Sequence, residues 1–359
     1  MKITIFGGGN IGTQFAVHCA EKGHQTTMYC SKPDVFQKTI YVLDAQDRIL
    51  HTGTLRQATH DAAAAFSDAD LIFVTVPAFC MQAAAETVYP FVKPGAMICI
   101  VPGSGGGECS FAKCLQKGAV VFGMQRVPSV ARLKAYGEAV YGLGYRDALF
   151  VASLPADRAA YCAGVIGSIF DMPCSAMPNY LNLTLTPSNP ILHTTRLRTI
   201  FKDYHAGVVY KTVPLFYEDW NDESSERLFL CDAEVQSICR ALEAFDLSYV
   251  KSLTKHYESP TPSALTRKIS GIQSFKGLKT PTVAAEGGLI PDFNSRYFTA
   301  DFPFGLAILI QIADMIGTNA ENMKETMRWY NDVGLPHDSF RYADYGITTY
   351  EAFAAFYGQ

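Results

Sequence analysis

Lys2-Ile3-Thr4-Ile5-Phe6-Gly7-Gly8-Gly9-Asn10-Ile11-Gly12 opens the chain, and a helical pattern over Thr13 to Lys22 follows at once. An apolar, β-branched run, a glycine turn and a helix are the first parts of a βαβ unit. The glycines fit G-x-G-x-x-G, a spacing that carries weight only between a strand and a helix, where it stands here. Gly7 makes the tight turn, Gly9 lets backbone N–H groups approach a pyrophosphate, and Gly12 lets the helix pack close to the strand. The helix N-terminus adds donors and partial positive charge. Gly7, Gly8, Gly9, Asn10, Ile11 and Gly12 are therefore the expected pyrophosphate site of a dinucleotide.

The same alternation continues outward. Gln25 to Cys30 reads as a second strand, Leu71 to Val76 as a third, Ala84 to Val92 as a helix, and Met97 to Val101 as a strand running into Pro102-Gly103-Ser104-Gly105-Gly106-Gly107. Val120 to Met124, Ala139 to Tyr145, Leu149 to Leu154 and Cys174 to Met177 look like further strands, with a helix over Ala156 to Phe170. Apolar strands that end in Pro or Gly turns describe a doubly wound, mainly parallel α/β sheet, a Rossmann domain over residues 1–178. Beyond it Asn179 to Phe201, Asp232 to Phe245, Phe304 to Ile316 and Asn319 to Val333 read as helices, so 179–359 is expected to be an all-α substrate and catalytic domain. Segments 217–227 and 255–303 are rich in Pro, Gly and charge and read as long irregular connections, often functional.

Two domains agree with 359 residues at about 150 per domain. A net charge of −4 gives no long-range attraction to nucleic acid or anionic lipid. The short apolar start lacks the layout of a signal peptide, and the longest apolar helical stretch, Gly305 to Ile316, is too short for a bilayer, so a cytoplasmic protein without a membrane partner is expected. Ten cysteines spread from Cys19 to Cys239 with no C-x-x-C pair read as free thiols, and no metal site is expected.

In a glycine-loop site an acidic residue about 20 residues past the loop holds the ribose 2′-hydroxyl of NAD. Here the second strand ends Tyr29-Cys30-Ser31-Lys32-Pro33, and Asp34 follows only after a proline. Ser31 and Lys32 suit a 2′-phosphate, so NADP(H) is favoured, with NAD(H) the alternative. Thr75-Val76-Pro77-Ala78 ends another strand, which places Val76 and Pro77 toward the cofactor. Hydride transfer needs a group that moves a proton on and off the heteroatom, and histidine suits neutral pH. His193 stands apart from the other histidines at the start of the first long helix of the second domain. Arg296 suits bidentate grip of an anion, and Asp301 suits either capping a helix or orienting an imidazole.

Three blocks then carry a resemblance. Asn189-Pro190-Ile191-Leu192-His193 is similar to N-P-x-x-H, Arg296-Tyr297-Phe298-Thr299-Ala300-Asp301-Phe302-Pro303-Phe304-Gly305 to R-[FY]-x-x-E-D-[IV]-P-[FY]-G, and Pro128-Ser129-Val130-Ala131-Arg132 to P-Y-x-x-R. With the glycine loop, they make nearly the whole chain resemble the octopine/nopaline dehydrogenase family of opine dehydrogenases. Ala300 replaces the usual acidic neighbour of the aspartate, and Ser129 the usual Tyr, which is expected to alter the substrate pocket. The resemblance implies reductive coupling of an amino acid with a 2-oxo acid by NAD(P)H, reversible to oxidation of the secondary amine. It implies His193 as acid/base, Asp301 as its orienting partner, Arg296 on the cofactor pyrophosphate, and Asn189 and Arg132 toward substrate. The partners are then small molecules, and the protein a monomer or homodimer. A ketopantoate-reductase-like or glycerol-3-phosphate-dehydrogenase-like enzyme, built around a lysine, and a non-catalytic NAD(P)-sensing protein are the alternatives.

Overall fold

A computed structural model describes residues 1–186, 189–333 and 338–359. It divides into two compact units, Met1–Thr184 with Ala354–Gln359, and Leu185–Phe353. The division thus falls after Thr184 rather than after residue 178, and the chain end belongs to the first unit. The reason is local bonding. Tyr180 donates its hydroxyl to the Gly103 carbonyl at 2.9 Å, while Thr184 and Tyr357 both donate to the buried Glu108 carboxylate, at 3.1 and 2.7 Å.

The first unit holds twelve strands: β1 Lys2–Phe6, β2 Gln25–Tyr29, β3 Thr39–Leu43, β4 Ile49–Thr54, β5 Gln57–Thr59, β6 Leu71–Val74, β7 Met97–Ile100, β8 Val120–Met124, β9 Val130–Ala135, β10 Ala139–Leu143, β11 Leu149–Leu154 and β12 Cys174–Ala176. Eight form one sheet in the order β12-β11-β8-β7-β6-β1-β2-β5, parallel except where β11 meets β8. β1 lies between β2 and β6, so the winding reverses at its carboxyl end, where the glycine turn stands. An open parallel sheet binds ligands at such a reversal.

The other four strands make a second sheet, β4-β3-β10-β9, which the sequence reading met only as the Ala139 segment. It covers the helix Asn10–Glu21, in which every residue from Gly12 to Cys19 is buried. A Cβ at Gly53 of β4 would stand 2.7 Å from Val17 Cα, a measure of how closely the sheet lies on this helix. Packed from two sides, the helix needs no polar face.

The second unit is mainly helical, with Asn189–Ile200, Asp222–Ala241, Pro262–Ser270, Ala307–Met315 and Glu321–Asp332 as its longer helices. It also carries a two-stranded antiparallel ribbon, β13 Thr282–Ala285 and β14 Gly288–Pro291, inside the stretch expected to be irregular. The expected helix 179–201 is two helices, Leu181–Thr184 and Asn189–Ile200. Pro190 fits the first turn of the second, where its missing N–H has no helical acceptor to lose; Pro187 and Ser188 lie outside the described residues. Asp222–Ala241 starts ten residues ahead of the expected 232, because Asn221 caps it by accepting from the Ser224 N–H and its first turns are polar. The apolar stretch near Gly305 belongs to a helical run of 20 residues, Arg296–Met315, long and apolar enough to cross a membrane. Just over half of it is buried inside the protein, as in a core helix.

Candidate active site

In the first unit a cleft of about 460 Å³ is lined by Phe6, Gly7, Gly8, Gly9, Tyr29, Cys30, Ser31, His60, Val76 and Tyr136. The three signature glycines differ in what surrounds them. Gly7 has φ +115°, a conformation that favours glycine. A Cβ at Gly12 would stand 1.7 Å from the Gly7 carbonyl oxygen, so helix and turn touch there. A Cβ at Gly9 would meet nothing within 4 Å, which leaves the space a pyrophosphate needs. No side chain caps the helix that follows, and its first turn holds no acidic residue, so its N–H groups are left for an anion. Thr75 braces the turn by donating to the Phe6 and Gly7 carbonyls at 3.0 and 3.1 Å. These features fit a dinucleotide.

Several expected cofactor residues stand elsewhere. The Asn10 amide oxygen accepts from the Leu133 N–H at 2.6 Å and ties the loop to β9. The Ile11 side chain packs against the core. Ser31 and Val76 line the cleft, whereas Lys32 and Pro77 are exposed and outside its lining. Among the described residues, none that lines it is acidic. His60 lines it as well; it follows β5, a strand too short to read from sequence. Arg132 is exposed on β9, and its guanidinium donates to the Ala131 carbonyl. Ser129 is buried and accepts from the Gln14 side-chain amide, so its exchange for Tyr alters the packing of this unit. His18, Glu21 and His51 gather donor atoms within 4.8 Å, a group hidden by their separation in sequence. Bonds from His51 to Glu21 at 2.7 Å and between His18 and the Tyr145 hydroxyl at 3.3 Å account for it.

In the second unit His193 sits one turn into Asn189–Ile200, with its side chain 6% exposed. Its Nδ1 lies 2.8 Å from Asp301 Oδ2 and its Nε2 2.7 Å from the Tyr217 hydroxyl. An ionised carboxylate only accepts, so Nδ1 carries the hydrogen, and Nε2 accepts from the Tyr217 O–H. Asp301 follows the helical turn Arg296–Thr299 and caps the start of a π-helical turn, Phe302–Leu306, in which the Leu306 N–H bonds back to the Asp301 carbonyl at 2.8 Å. Such wide turns recur at functional sites. A Cβ at Gly305 would stand 3.0 Å from Pro190 Cβ and Cγ. That contact holds the two helices at the separation which lets His193 reach Asp301. Burial drives the Tyr217 phenol far above its ordinary pKa, so it stays protonated.

Residues 176–333 match the family model described as the NAD/NADP octopine/nopaline dehydrogenase α-helical domain, and residues 2–117 match the NAD-dependent glycerol-3-phosphate dehydrogenase N-terminus. The helical domain is thus that of the octopine/nopaline dehydrogenases, and the chain as a whole is similar to the opine dehydrogenases. It is 26% identical to tauropine dehydrogenase of Arabella iricolor over 359 aligned residues, 91% of this chain and 90% of that one. It is 28% identical to octopine dehydrogenase of Pecten maximus, over 76% and 71% of the two chains. A solved octopine dehydrogenase with NADH and L-arginine shares its fold at a TM-score of 0.86 and 21% identity, covering 100% of this chain and 98% of that one.

The sequence-singled residues of the helical unit now have places. His193 and Asp301 touch. Asn189 is exposed one turn before His193, on the same face of its helix. Arg296 is exposed, and its guanidinium has no protein partner among the described residues. Tyr217 was missed. It lies in an aperiodic segment, and its one signal is the aromatic density of Phe216-Tyr217 and Trp220.

Proposed function

We propose that this chain is an opine dehydrogenase that joins the amino group of an amino acid to the keto carbon of a 2-oxo acid, with His193 and Asp301 carrying the proton transfers. The observation that carries it is the His193–Asp301 pair, 2.8 Å apart and withdrawn from solvent. Condensation makes two demands on the protein. The ammonium must lose a proton before nitrogen can attack, and the oxygen of the resulting carbinolamine must gain protons before it can leave as water. One imidazole does both in turn, and a carboxylate on Nδ1 stabilises its charged form between the two events. NAD(P)H bound at the glycine loop supplies the hydride that reduces the imine. Read backward, the same groups oxidise a secondary amine.

Arg296, exposed and unpaired, suits an anion, either the cofactor pyrophosphate or a substrate carboxylate. Asn189, a turn before the base, suits substrate; the exposure of Arg132 leaves it a weaker candidate. NADP(H) is the proposed cofactor, on the acid-free cleft and Ser31 within it, with NAD(H) as the second reading. Ten free thiols suit the reducing cytoplasm.

The test is a screen of NADPH and NADH oxidation with pyruvate, glyoxylate or 2-oxoglutarate against the amino acids. Amine-dependent turnover is expected, and its absence overturns the proposal. His193→Ala should abolish that turnover while NAD(P)H binding persists; surviving turnover removes His193 from the acid/base role.

A further inference from the structure

Both ring nitrogens of His193 are taken, Nδ1 by Asp301 and Nε2 by the Tyr217 hydroxyl at 2.7 Å. A substrate atom therefore has no free ring nitrogen to touch. Either Tyr217 leaves when substrate binds, or it stands permanently between the base and the substrate.

The surroundings of Tyr217 decide against leaving. Its ring is stacked on Phe275 at 4.2 Å, lies parallel to Trp220 at 6.4 Å, and meets Phe216 edge-on at 4.8 Å. The backbone on both sides is fixed by one buried cation. Arg196, 1% exposed and one turn after His193, donates to the carbonyls of Leu215, Phe216 and Asp219 and to the side chains of Asn221 and Ser224. Moving Tyr217 would break its contacts with three rings and disturb this set. The hydroxyl has a second neighbour as well, for Tyr297 bonds to it and lies four residues before Asp301 in the same helical run. The chain Tyr297, Tyr217, His193, Asp301 thus begins and ends on one element.

We infer that the Tyr217 hydroxyl is the group that exchanges protons with the substrate, relaying them to and from His193 Nε2. This rests on the reaction proposed above. As the amine is deprotonated, the Tyr217 oxygen takes its proton and the Tyr217 O–H proton passes to Nε2, leaving imidazolium against Asp301. Nitrogen then bonds to the keto carbon, and the second ammonium proton moves to the new oxygen as its hydroxyl. In dehydration the relay reverses. The Tyr217 O–H proton goes to the carbinolamine hydroxyl, the C–O bond breaks, water departs with the bonding pair, and the Nε2 proton refills Tyr217. Nitrogen's lone pair forms the iminium, and His193 and Tyr217 end as they began. Tyr217 never carries a negative charge, as its burial requires.

The experiment is Tyr217→Phe in the full chain, read by single-turnover oxidation of bound NAD(P)H on mixing with amino acid and 2-oxo acid. Phe keeps the ring stacking and removes only the relaying oxygen. The expected result is a roughly 100-fold slower turnover, with NAD(P)H affinity and 2-oxo acid KM within about threefold of wild type. In mixtures of light and heavy water the wild-type rate should fall along a bowed curve, because two protons move together. That second measurement needs no variant and stands if Tyr217→Phe fails to fold. A variant within about threefold of wild type, a faster one, or a straight wild-type curve overturns the relay. An active wild type with an unimpaired Tyr217→Phe removes the relay alone, whereas a wild type without amine-dependent oxidation removes the proposed reaction with it.

Discussion

Replacing Asp301 with Asn asks how much of the chemistry depends on one charge. At the 2.8 Å separation of Nδ1 and Oδ2, full charges attract by about 6 kcal/mol in an effective dielectric near 20. Part of that is already screened, since the Asp301 side chain is 16% exposed, and the amide still bonds to the ring. If about half remains as the loss of imidazolium stabilisation, roughly 3 kcal/mol, turnover falls about 100-fold or more. A second effect adds to it. Asn can turn its NH₂ toward Nδ1, which moves the ring hydrogen to Nε2 and aims it at the Tyr217 oxygen, the reverse of the resting arrangement. The assay is steady-state NAD(P)H oxidation with saturating amino acid and 2-oxo acid, beside NAD(P)H binding by fluorescence. Binding should hold, because the cofactor cradle lies in the other unit. Asp301→Asn turnover within about tenfold of wild type would refute a charge-stabilising role for Asp301.

Gly305→Ala brings a methyl to 3.0 Å from Pro190, where carbon contacts prefer about 3.5–4.0 Å, so the two helices must part slightly. Overpacking of about 1–3 kcal/mol is partly offset by about 1 kcal/mol of helix propensity. Chemical denaturation should therefore show a modest loss while turnover falls about tenfold, since sub-ångström misplacement is costly at the reacting groups; unchanged turnover would detach this contact from the site. Lys32→Asp should shift the KM ratio toward NADH, and a constant ratio leaves the 2′-phosphate to Ser31 and His60. Burial raises the Glu108 carboxyl from its ordinary value to about 7. The folded state then holds a proton that the unfolded state has released between the ordinary carboxylate range and pH 7, so this contribution to stability is lost as pH rises through that window. Glu108→Gln keeps an acceptor for Tyr357 and Thr184, and its melting temperature should gain on wild type from pH 5 to pH 8. A constant difference would refute the shift.

The features legible in sequence were those set by neighbours along the chain. Gly7, Gly9 and Gly12 each answer a local demand, of conformation, open space or close contact, and all three stand where the spacing places them. The parallel strands were equally plain as short apolar runs ending in turns. The second sheet was hidden because β3 and β4 surround a polar hairpin loop, Asp44 to Arg48, whose bonds are made by the Asp44 carboxylate rather than by glycine. The segment ahead of Asp232 was hidden because its helix is specified by an Asn221 cap and polar turns, not an apolar stripe. In both cases a polar side chain bonded to nearby backbone does what a glycine turn or an apolar stripe does elsewhere.

Tyr217 shows the same limit at the site itself. No periodicity singles it out, and its place is fixed by Arg196, a residue whose type suggests a solvated surface. Yet Arg196 is fully buried, and burial lowers its pKa only to about 10, so it keeps its charge and all five bonds. His193 and Arg196 are three residues apart on one helix, and Tyr297 and Asp301 four apart on the other. Two short helical spacings therefore carry the base, its carboxylate, the anchor of the loop and the outer tyrosine. Two of the three blocks that carry the resemblance, Asn189–His193 and Arg296–Gly305, lie on these same two helices. Their pairing has a physical cause in the Gly305–Pro190 contact, which lets one block be read only with the other present. Loop 215–221 owes its shape to side chains on a helix some twenty residues away, so it can change in sequence while Tyr217 keeps its hydroxyl on Nε2, provided Arg196 stays. Arg196→Lys, which keeps the charge but not the fork of donors, should then resemble Tyr217→Phe in turnover, and full activity in that variant would show that the loop holds Tyr217 unaided.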